Sequence, residues 1–377
     1  MRVKLSDAFD LQMGKTPSRG EPDYWNGENA WVSIADLSNA GKYISETKEC
    51  ITDIGVARSG IRVVPRNTVI MSFKLSIGKT AITAEDMYTN EAIMAFIDKG
   101  VYPINVHYLY HLFSNMDWSE GSNKAVMGIT LNKTTLSEKV IELPDMAEQQ
   151  EVAAMLDHMD TLISLRKQQI AKLDELVKAR FVEMFIGKGY PTKTIDEVSR
   201  AKGEYGAQSA SAEYDPARPR YVRITDINDD GTLNDDVVAS SNITDDEQYR
   251  LEYGDFMFAR MGATVGKTYA FIKGNQIFAG YLIRYKLKCE LVNPHYLFWY
   301  TRLDEYWNWV KLNQSGAAQP GINAKKFGSL QIPLPPIEEQ NAFATFVAQT
   351  DQQKLTMQHS LAQLELLKKA LMQKYFG

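Results

Sequence analysis

The stretch from Leu143 to Phe185 reads LPDMAEQQEVAAMLDHMDTLISLRKQQIAKLDELVKARFVEMF, and the stretch from Leu334 to Phe376 reads LPPIEEQNAFATFVAQTDQQKLTMQHSLAQLELLKKALMQKYF. The two align without a gap at a shift of 191 residues (334 − 143), with about a dozen identical positions. Two copies of one element predict a molecule with internal pseudo-twofold symmetry. Such a molecule suits a target that itself has two halves, and a duplex with two half-sites is the obvious candidate.

Each copy predicts a long helix. The opening Leu-Pro favours extended geometry at the leucine and ends the preceding strand. From Leu156 to Met184 the apolar residues recur at spacings of three, four or seven, which is the pattern of an amphipathic helix. About 40 residues at ~1.5 Å per residue give a rod of about 60 Å, which needs a partner along its length.

We therefore predict that the two helices pack on each other as an antiparallel coiled coil. The polar stretch Gln349 to Lys354 is the expected weak point of this seam. Four cationic side chains lie on or near this seam. We interpret them as residues at its margin whose aliphatic parts cover the apolar contact, rather than as ion pairs that fix the alignment of the two helices. They are Arg166, Arg180, Lys354 and Lys368.

The sequence between the helices repeats more loosely. Matching pairs are Trp31 to Leu37 with Tyr221 to Ile227, Ile77 to Thr80 with Val265 to Thr268, Asn105 to Leu109 with Asn293 to Leu297, and Asn132 with Asn323. The predicted order is a first globule (1–142), a first helix (143–186), a second globule (187–333) and a second helix (334–377). Strands are expected at Ile61 to Val64, Val69 to Phe73 and Tyr281 to Leu287, and helices at Val106 to Phe113 and Pro294 to Trp309. The predicted fold class is α+β, with two mixed α/β domains and two long helices.

Composition is that of an ordinary globular protein, with 44% hydrophobic residues. No apolar run approaches the ~20 residues of a membrane span, and the start lacks a signal peptide, so a cytoplasmic protein is expected. Cys50 and Cys289 are expected to be buried free thiols. The net charge of −5 argues against nonspecific adhesion to DNA. An acidic stretch is interpreted as a solvated face rather than a docking patch: Asp226, Asp229, Asp230, Asp235, Asp236, Asp245, Asp246 and Glu247.

Several motifs resemble catalytic sites and fail when the second copy is checked. Neither Gly-Lys-Thr tripeptide has the upstream glycine of a phosphate-binding loop, and a turn between strands with a basic tip explains both. Asn293-Pro294-His295-Tyr296 resembles the box with which amino-methyltransferases hold a flipped base, but a helix start explains it better. His107 and His111 have zinc-ligand spacing without a third ligand. No nucleophile has a credible base, so no enzymatic activity is expected.

With these residues in view, the chain resembles the specificity subunit of type I restriction-modification systems over its whole length. The resemblance lies mainly in Leu143 to Gln149 and Leu334 to Gln340, with support from Met71 to Lys79 and Tyr253 to Arg260. It implies that each globule is a target recognition domain for one half of a split, asymmetric DNA sequence, and that the paired helices set the spacing. It also implies two methylation subunits docked along the helices and restriction subunits joining them. S-adenosylmethionine, ATP and Mg²⁺ would belong to those partners, with no cofactor or small-molecule substrate on this chain.

Candidate DNA-binding residues are chosen by chemistry, as polar or basic residues in loops that are equivalent between the globules. The first globule offers Lys15, Thr16, Ser18, Arg19, Lys74, Ser76, Lys79, Asn123 and Lys124. The second offers Tyr205, Gln208, Arg218, Arg220, Arg260, Thr264, Lys267, Gln314, Gln319, Lys325 and Lys326.

Two alternatives remain. A coiled-coil scaffold with two protein- or glycan-binding globules would fit the net negative charge, and would show no salt-dependent affinity for duplex DNA. A methyltransferase in its own right is the weakest, because the chain lacks a glycine-rich S-adenosylmethionine loop.

Overall fold

A computed structural model of the chain describes residues 1–74, 76–118, 124–125, 128–129, 131–316 and 320–377, with the backbone alone at 124–125 and 128–129. The chain forms two compact units. The first unit contains Met1–Lys167 and His359–Gly377, and the second contains Gln168–Gln358. Each unit therefore holds one globule together with part of each long helix.

The first unit is a mixed α/β globule followed by the start of a long helix. Its elements are β1 Arg2–Lys4, α1 Leu5–Ala8, β2 Phe9–Met13, β3 Trp25–Val32, α2 Ile34–Asn39, β4 Tyr43–Ile44, β5 Glu49–Ile51, α3 Asp53–Ser59, β6 Val69–Ser72, β7 Thr80–Thr83, β8 Tyr88–Thr89, β9 Ile93–Asp98, α4 Val106–Asn115, β10 Lys124–Ala125, β11 Gly128–Ile129, α5 Lys133–Ser137, β12 Val140–Glu142 and α6 Met146–Phe185. Helix α6 continues into the second unit.

The main sheet of the first unit has the order β2-β9-β6-β7-β4. A second sheet has the order β5-β3-β8, in which β3 and β8 run parallel, and β1 pairs with β12 at the end of the globule. Phe9, Phe96 and Phe113 stack edge to face in the core, which also takes in Leu156 from α6. The start of the long helix is thus part of the globule's own core.

The second unit repeats this arrangement. Its elements are β13 Thr192–Thr194, β14 Glu204–Tyr205, β15 Ser211–Ala212, β16 Arg220–Val222, β17 Ala239–Ser240, α7 Asp245–Gln248, β18 Asp255–Ala259, β19 Thr268–Ala270, β20 Gln276–Phe278, β21 Leu282–Lys286, α8 Pro294–Tyr300, α9 Asp304–Asn313, α10 Ala324–Gly328, β22 Gln331–Pro333 and α11 Ile337–Phe376. The sheet β14-β21-β18-β19 corresponds to β2-β9-β6-β7, the parallel pair β16-β20 to β3-β8, and β13-β22 to β1-β12. The predicted α+β fold with an internal repeat is confirmed.

Helices α6 and α11 pack antiparallel within each unit. In the first unit Lys167 pairs with Glu365 at 2.9 Å, and Lys368 binds Asp160. In the second unit Lys354 pairs with Asp174 at 2.7 Å. The interpretation of Lys354 and Lys368 as mere edge residues is wrong, because each makes an ion pair across the seam. The ion pair of Lys354 stabilises the polar stretch that the sequence analysis identifies as the weak point of the seam. Arg180 instead pairs within its own helix, with Glu183.

A buried glutamine joins each globule to its long helix. The Gln149 amide donates to the carbonyls of Pro103 and Pro144 at 3.0 Å each, and its oxygen accepts from the Asn105 N–H at 2.8 Å. Gln340 makes the equivalent bonds to Leu291, Pro335 and Asn293 at 3.0, 2.8 and 2.8 Å. Both glutamines are fully buried. We call each of these arrangements a glutamine latch.

Several predicted features need correction. The stretch Ile61 to Val64 forms an isolated bridge at Val64 rather than a strand. The helix expected at Pro294 to Trp309 is interrupted after Tyr300, where the Arg302 side chain folds back onto the Phe298 carbonyl. Cys50 and Cys289 are free thiols as expected, but half-buried.

The acidic stretch is not simply a solvated face. Asp226 is fully buried and pairs with Arg223 at 2.7 Å, and Asp246 is held by Arg218 at the same distance. Asp245 is also buried and accepts a hydrogen bond from the Ser240 hydroxyl at 2.5 Å. These carboxylates therefore form ion pairs and hydrogen bonds that stabilise the interior of the second globule.

Candidate nucleic-acid interface

In the second globule, three polar side chains meet at one end of the main sheet. Tyr205 ends β14, Arg260 follows β18, and Tyr281 precedes β21. Since β21 lies between β14 and β18 and runs antiparallel to both, these three positions lie at the same end of the strands. We call this end of the strands the edge of the sheet. The Arg260 N–H donates to the Tyr281 carbonyl at 3.0 Å, which extends the β18-β21 ladder to this edge.

The guanidinium of Arg260 lies between the two tyrosines. Its central carbon is 4.9 Å from the ring centre of Tyr205 and 5.4 Å from that of Tyr281, within the range of a cation–π contact. Its Nε donates to the Gly280 carbonyl at 3.1 Å. The tyrosines are 43% and 52% exposed. Tyr205, Arg260 and Tyr281 are called the arginine–tyrosine cluster below.

Two predicted residues of this cluster, Tyr205 and Arg260, come from different loops, and the structure brings them together. Gln208 is also exposed and lies against Gly280. Tyr281 is not among the predicted residues. The sequence analysis places Tyr281 at the start of a predicted strand, but its position beside Arg260 depends on strand register.

The first globule has different chemistry at the equivalent edge. Strand pairing makes Met13, Phe73 and Ala92 the counterparts of Tyr205, Arg260 and Tyr281, and the Phe73 N–H donates to the Ala92 carbonyl just as Arg260 does to Tyr281. Phe73 and Ala92 are buried. Equivalent backbone positions thus carry an apolar set in one globule and a cationic, aromatic set in the other.

The loop after β2 places four predicted residues. Lys15 donates to the carbonyls of Ser59 and Gly60 at 3.2 and 3.3 Å, and Thr16 donates to Glu91. Ser18 is exposed. Arg19 lies over the Trp25 ring at 3.8 Å and pairs with both oxygens of Glu49. Through Trp25 and Glu49, Arg19 therefore has a structural role in this loop, and it is also a candidate for DNA contact.

The turn between β6 and β7 holds Lys74, Ser76 and Lys79. The Lys74 ammonium lies 5.3 Å from the Phe73 ring centre, while Ser76 and Lys79 are exposed. Asn123 lies outside the described residues, and Lys124 is described only by its backbone in β10.

In the second globule, the remaining predicted arginines are held internally. The guanidinium of Arg218 donates to both oxygens of Asp246 at 2.7 Å and to the Ser240 carbonyl at 2.8 Å. Arg220 donates to the Asn234 carbonyl at 2.7 Å. Both side chains are engaged in holding the loops around β16 and β17.

The turn after β18 and the loop before α10 hold the other candidates. Lys267 pairs with Asp229 at 2.8 Å and donates to the Ile227 carbonyl, and the Thr264 hydroxyl donates to the Met261 carbonyl. Gln314 and Lys325 are exposed, and Lys326 donates to the Asn313 carbonyl at 3.0 Å. Gln319 lies outside the described residues.

The histidine pair and the Asn-Pro-His-Tyr motif have structural roles. His111 bonds Asp157 at 2.7 Å, and Lys42 binds the same carboxylate. Burial lowers the pKa of His111 despite this bond. In the described residues, no group of three or more His, Cys, Asp or Glu is placed to hold a metal ion. Asn105 and Asn293 cap α4 and α8, so both copies are helix starts.

Comparison with known proteins identifies the family. The sequence model described as "Type I restriction modification DNA specificity domain" matches residues 1–175 and 188–366. The chain belongs to this specificity family. The family that the sequence resembles is confirmed.

Relatives of this family resemble the chain at low identity. The MjaIX specificity subunit of Methanocaldococcus jannaschii is 27% identical over 245 residues, which cover 59% of this chain and 56% of that subunit. The Escherichia coli EcoprrI specificity subunit is 23% identical over 42% of each chain. The chain thus matches about half the length of these relatives. The M. jannaschii MjaVIII subunit is 21% identical over 98% of this chain and 90% of its own length.

Solved structures of the specificity family share the fold. A chain from a type I restriction-modification complex, solved in a study of assembly and conformational transition, superposes with a TM-score of 0.64 at 17% identity, covering 100% of this chain and 97% of its own. The M. genitalium S subunit gives a TM-score of 0.58 at 13% identity, covering 100% and 96%. None of the helices in the described part of the chain has an apolar stretch sufficient for a membrane span.

Proposed function

We propose that this chain is the DNA-reading subunit of a type I restriction-modification complex, and that each globule contacts one half of a split, asymmetric target. The observation that carries the proposal is the contrast between the two sheet edges. Met13, Phe73 and Ala92 occupy the positions of the arginine–tyrosine cluster on the same strand framework. Two globules with one scaffold and different residues at equivalent positions suit two different half-sites.

The paired helices are proposed to set the spacing between half-sites and to bind two methylation subunits. Leu176 and Leu367 support two equivalent docking positions, since they are related by the repeat (176 + 191 = 367) and each is 49% exposed. A half-exposed leucine at the same position of each long helix leaves apolar surface that could pack against further helices. Restriction subunits would join this assembly, and duplex DNA would complete it.

The chain itself is proposed to be non-catalytic, with S-adenosylmethionine, ATP and Mg²⁺ bound by the partner subunits. The histidines, asparagines and acidic residues that could suggest catalysis have structural partners instead. A scaffold that binds proteins or glycans is less well supported, because the family is defined by a DNA specificity domain.

The test is a map of methylated bases in cells that carry the chain with its methylation subunit. A split motif should be present with the chain and absent when its gene is deleted. Replacing residues 187–333 by those of a relative should change one half of the motif and leave the other half intact. A methylome that is unaffected by either change would refute the proposal.

A further inference from the structure

Arg260 differs in its partners from those arginines of the second globule that form close ion pairs. Arg218, Arg223 and Arg284 each pair with a carboxylate at 2.7 Å or less. Arg260 has no carboxylate partner in the described part of the chain, and the one hydrogen bond of its side chain there is from Nε to Gly280. Both terminal nitrogens therefore have no hydrogen-bond acceptor among the residues that the structure describes.

The side chain is nevertheless held in place. Its Nε is anchored to a backbone carbonyl, and the rings of Tyr205 and Tyr281 flank the guanidinium. Tyr205 is itself fixed, because its hydroxyl accepts from the Ala324 N–H at 3.3 Å. A planar fork restrained in this way loses little conformational entropy when it binds two acceptors at once.

Comparison of the two globules shows whether the arginine–tyrosine cluster is needed for folding. Strand pairing continues past β6 in the first globule without an arginine or a tyrosine at the equivalent edge, since Phe73, Ala92 and Met13 stand there. The fold therefore does not require the arginine–tyrosine cluster. The scaffold can dispense with Arg260, and in the described part of the chain its terminal nitrogens have no acceptor, so this residue is placed to serve recognition.

We propose that Arg260 reads a guanine in the half-site contacted by the second globule, an inference that rests on the proposed function. In the major groove, guanine presents two acceptors, O6 and N7, that match the paired donors of a guanidinium. Tyr205 and Tyr281 act as positioning residues that hold the guanidinium between them. The first globule, which has Phe73 at this position, reads its half-site by other means.

The first experiment compares Arg260→Ala, Arg260→Lys and the control Arg250→Ala in the complex with the methylation subunit. Arg250 is an exposed arginine of the same globule that donates to Asn275. Both Arg260 variants should lower discrimination at one position of the second half-site by roughly 5- to 140-fold, the equivalent of 1–3 kcal/mol. Arg260→Lys should resemble Arg260→Ala, because an ammonium cannot form the two-pronged contact.

The second experiment replaces each guanine of the second half-site with 7-deazaguanine, which lacks the N7 acceptor. At one position the replacement should weaken binding by the wild-type complex and leave binding by the Arg260→Ala complex unchanged. Uniform weakening across sequences, with a reduced salt dependence and rescue by Arg260→Lys, would instead identify a phosphate contact and overturn the proposal.

The outcomes separate this inference from the proposed function. If no split motif depends on the chain, the proposed function fails. If a split motif exists but its second half contains no guanine, or no guanine is sensitive to Arg260, the inference alone fails. Thermal unfolding of each variant and its assembly with the methylation subunit verify that the comparison involves folded protein.

Discussion

Replacing Gln340 by leucine should strongly destabilise the second unit. The substitution keeps the side-chain volume nearly constant but removes the hydrogen bonds to Leu291, Pro335 and Asn293, at 3.0, 2.8 and 2.8 Å. A backbone group left without a partner in the interior costs about 1–3 kcal/mol. Two of these three bonds are only partly buried, so a total of about 3–5 kcal/mol is expected.

The measurement is urea unfolding together with hydrogen exchange of individual amides. A loss of this size is a large part of the ~5–15 kcal/mol that stabilises a typical protein. The Asn293 amide, which donates to Gln340 in the native chain, should lose its protection first. Gln149→Leu should have a similar effect in the first unit, because its bonds are equivalent.

The matched control is Gln352→Leu, an exposed glutamine on the same helix as Gln340. This control should change stability by no more than about 0.5 kcal/mol. If Gln340→Leu proves no more harmful than Gln352→Leu, or if the Asn293 amide stays protected, the glutamine latch does not hold the globule and the reasoning is refuted.

Three further predictions concern the interior of each globule. Between pH 7.5 and 5.5 the first unit should lose stability as the pH falls below 6.5, because burial lowers the pKa values of His111 and His107 beside Asp157 and their neutral rings are the stabilising form. His111→Gln should reduce this dependence in urea titrations and leave the part that His107 contributes. Gly206→Ala should cost about 1–3 kcal/mol in thermal unfolding, since an added Cβ would lie 2.3 Å from the Phe278 carbonyl oxygen, whereas Gly41→Ala meets no atom within 4 Å and should be nearly neutral. Asp226→Asn should cost about 2–3 kcal/mol by breaking its buried pair with Arg223, while the exposed Asp235→Asn should change the unfolding free energy by under about 0.5 kcal/mol.

The long helices could be predicted because their signal is local. The spacing of apolar residues and the Leu-Pro openings are readable within one stretch, and the repeat supplies an independent check. The structure gives α6 and α11 the bounds Met146–Phe185 and Ile337–Phe376, which keep the 191-residue shift at both ends. Helix caps at Asn105 and Asn293 were equally accessible, since a cap acts over three residues.

Features that depend on tertiary contacts could not be predicted in the same way. Tyr281 joins Arg260 only because β18 and β21 pair in one register, a contact that no short stretch of sequence encodes. The charge of Asp226 and Asp246 suggested solvent exposure, but arginines at 223 and 218 compensate that charge inside the globule. A charged residue in a sequence indicates that its side chain needs a polar partner, but the partner can be either water or another group of the protein.

The glutamine latches have a consequence for how such chains change over evolutionary time. In each globule the latch bonds only to main-chain groups, the carbonyl of Pro103 or Leu291 and the N–H of Asn105 or Asn293. Because the globule contributes only main-chain groups to these bonds, the joint does not depend on which side chains the globule carries there. A globule of unrelated surface sequence could therefore replace the present one and still pack on the same helix without any change in the residues that form the joint.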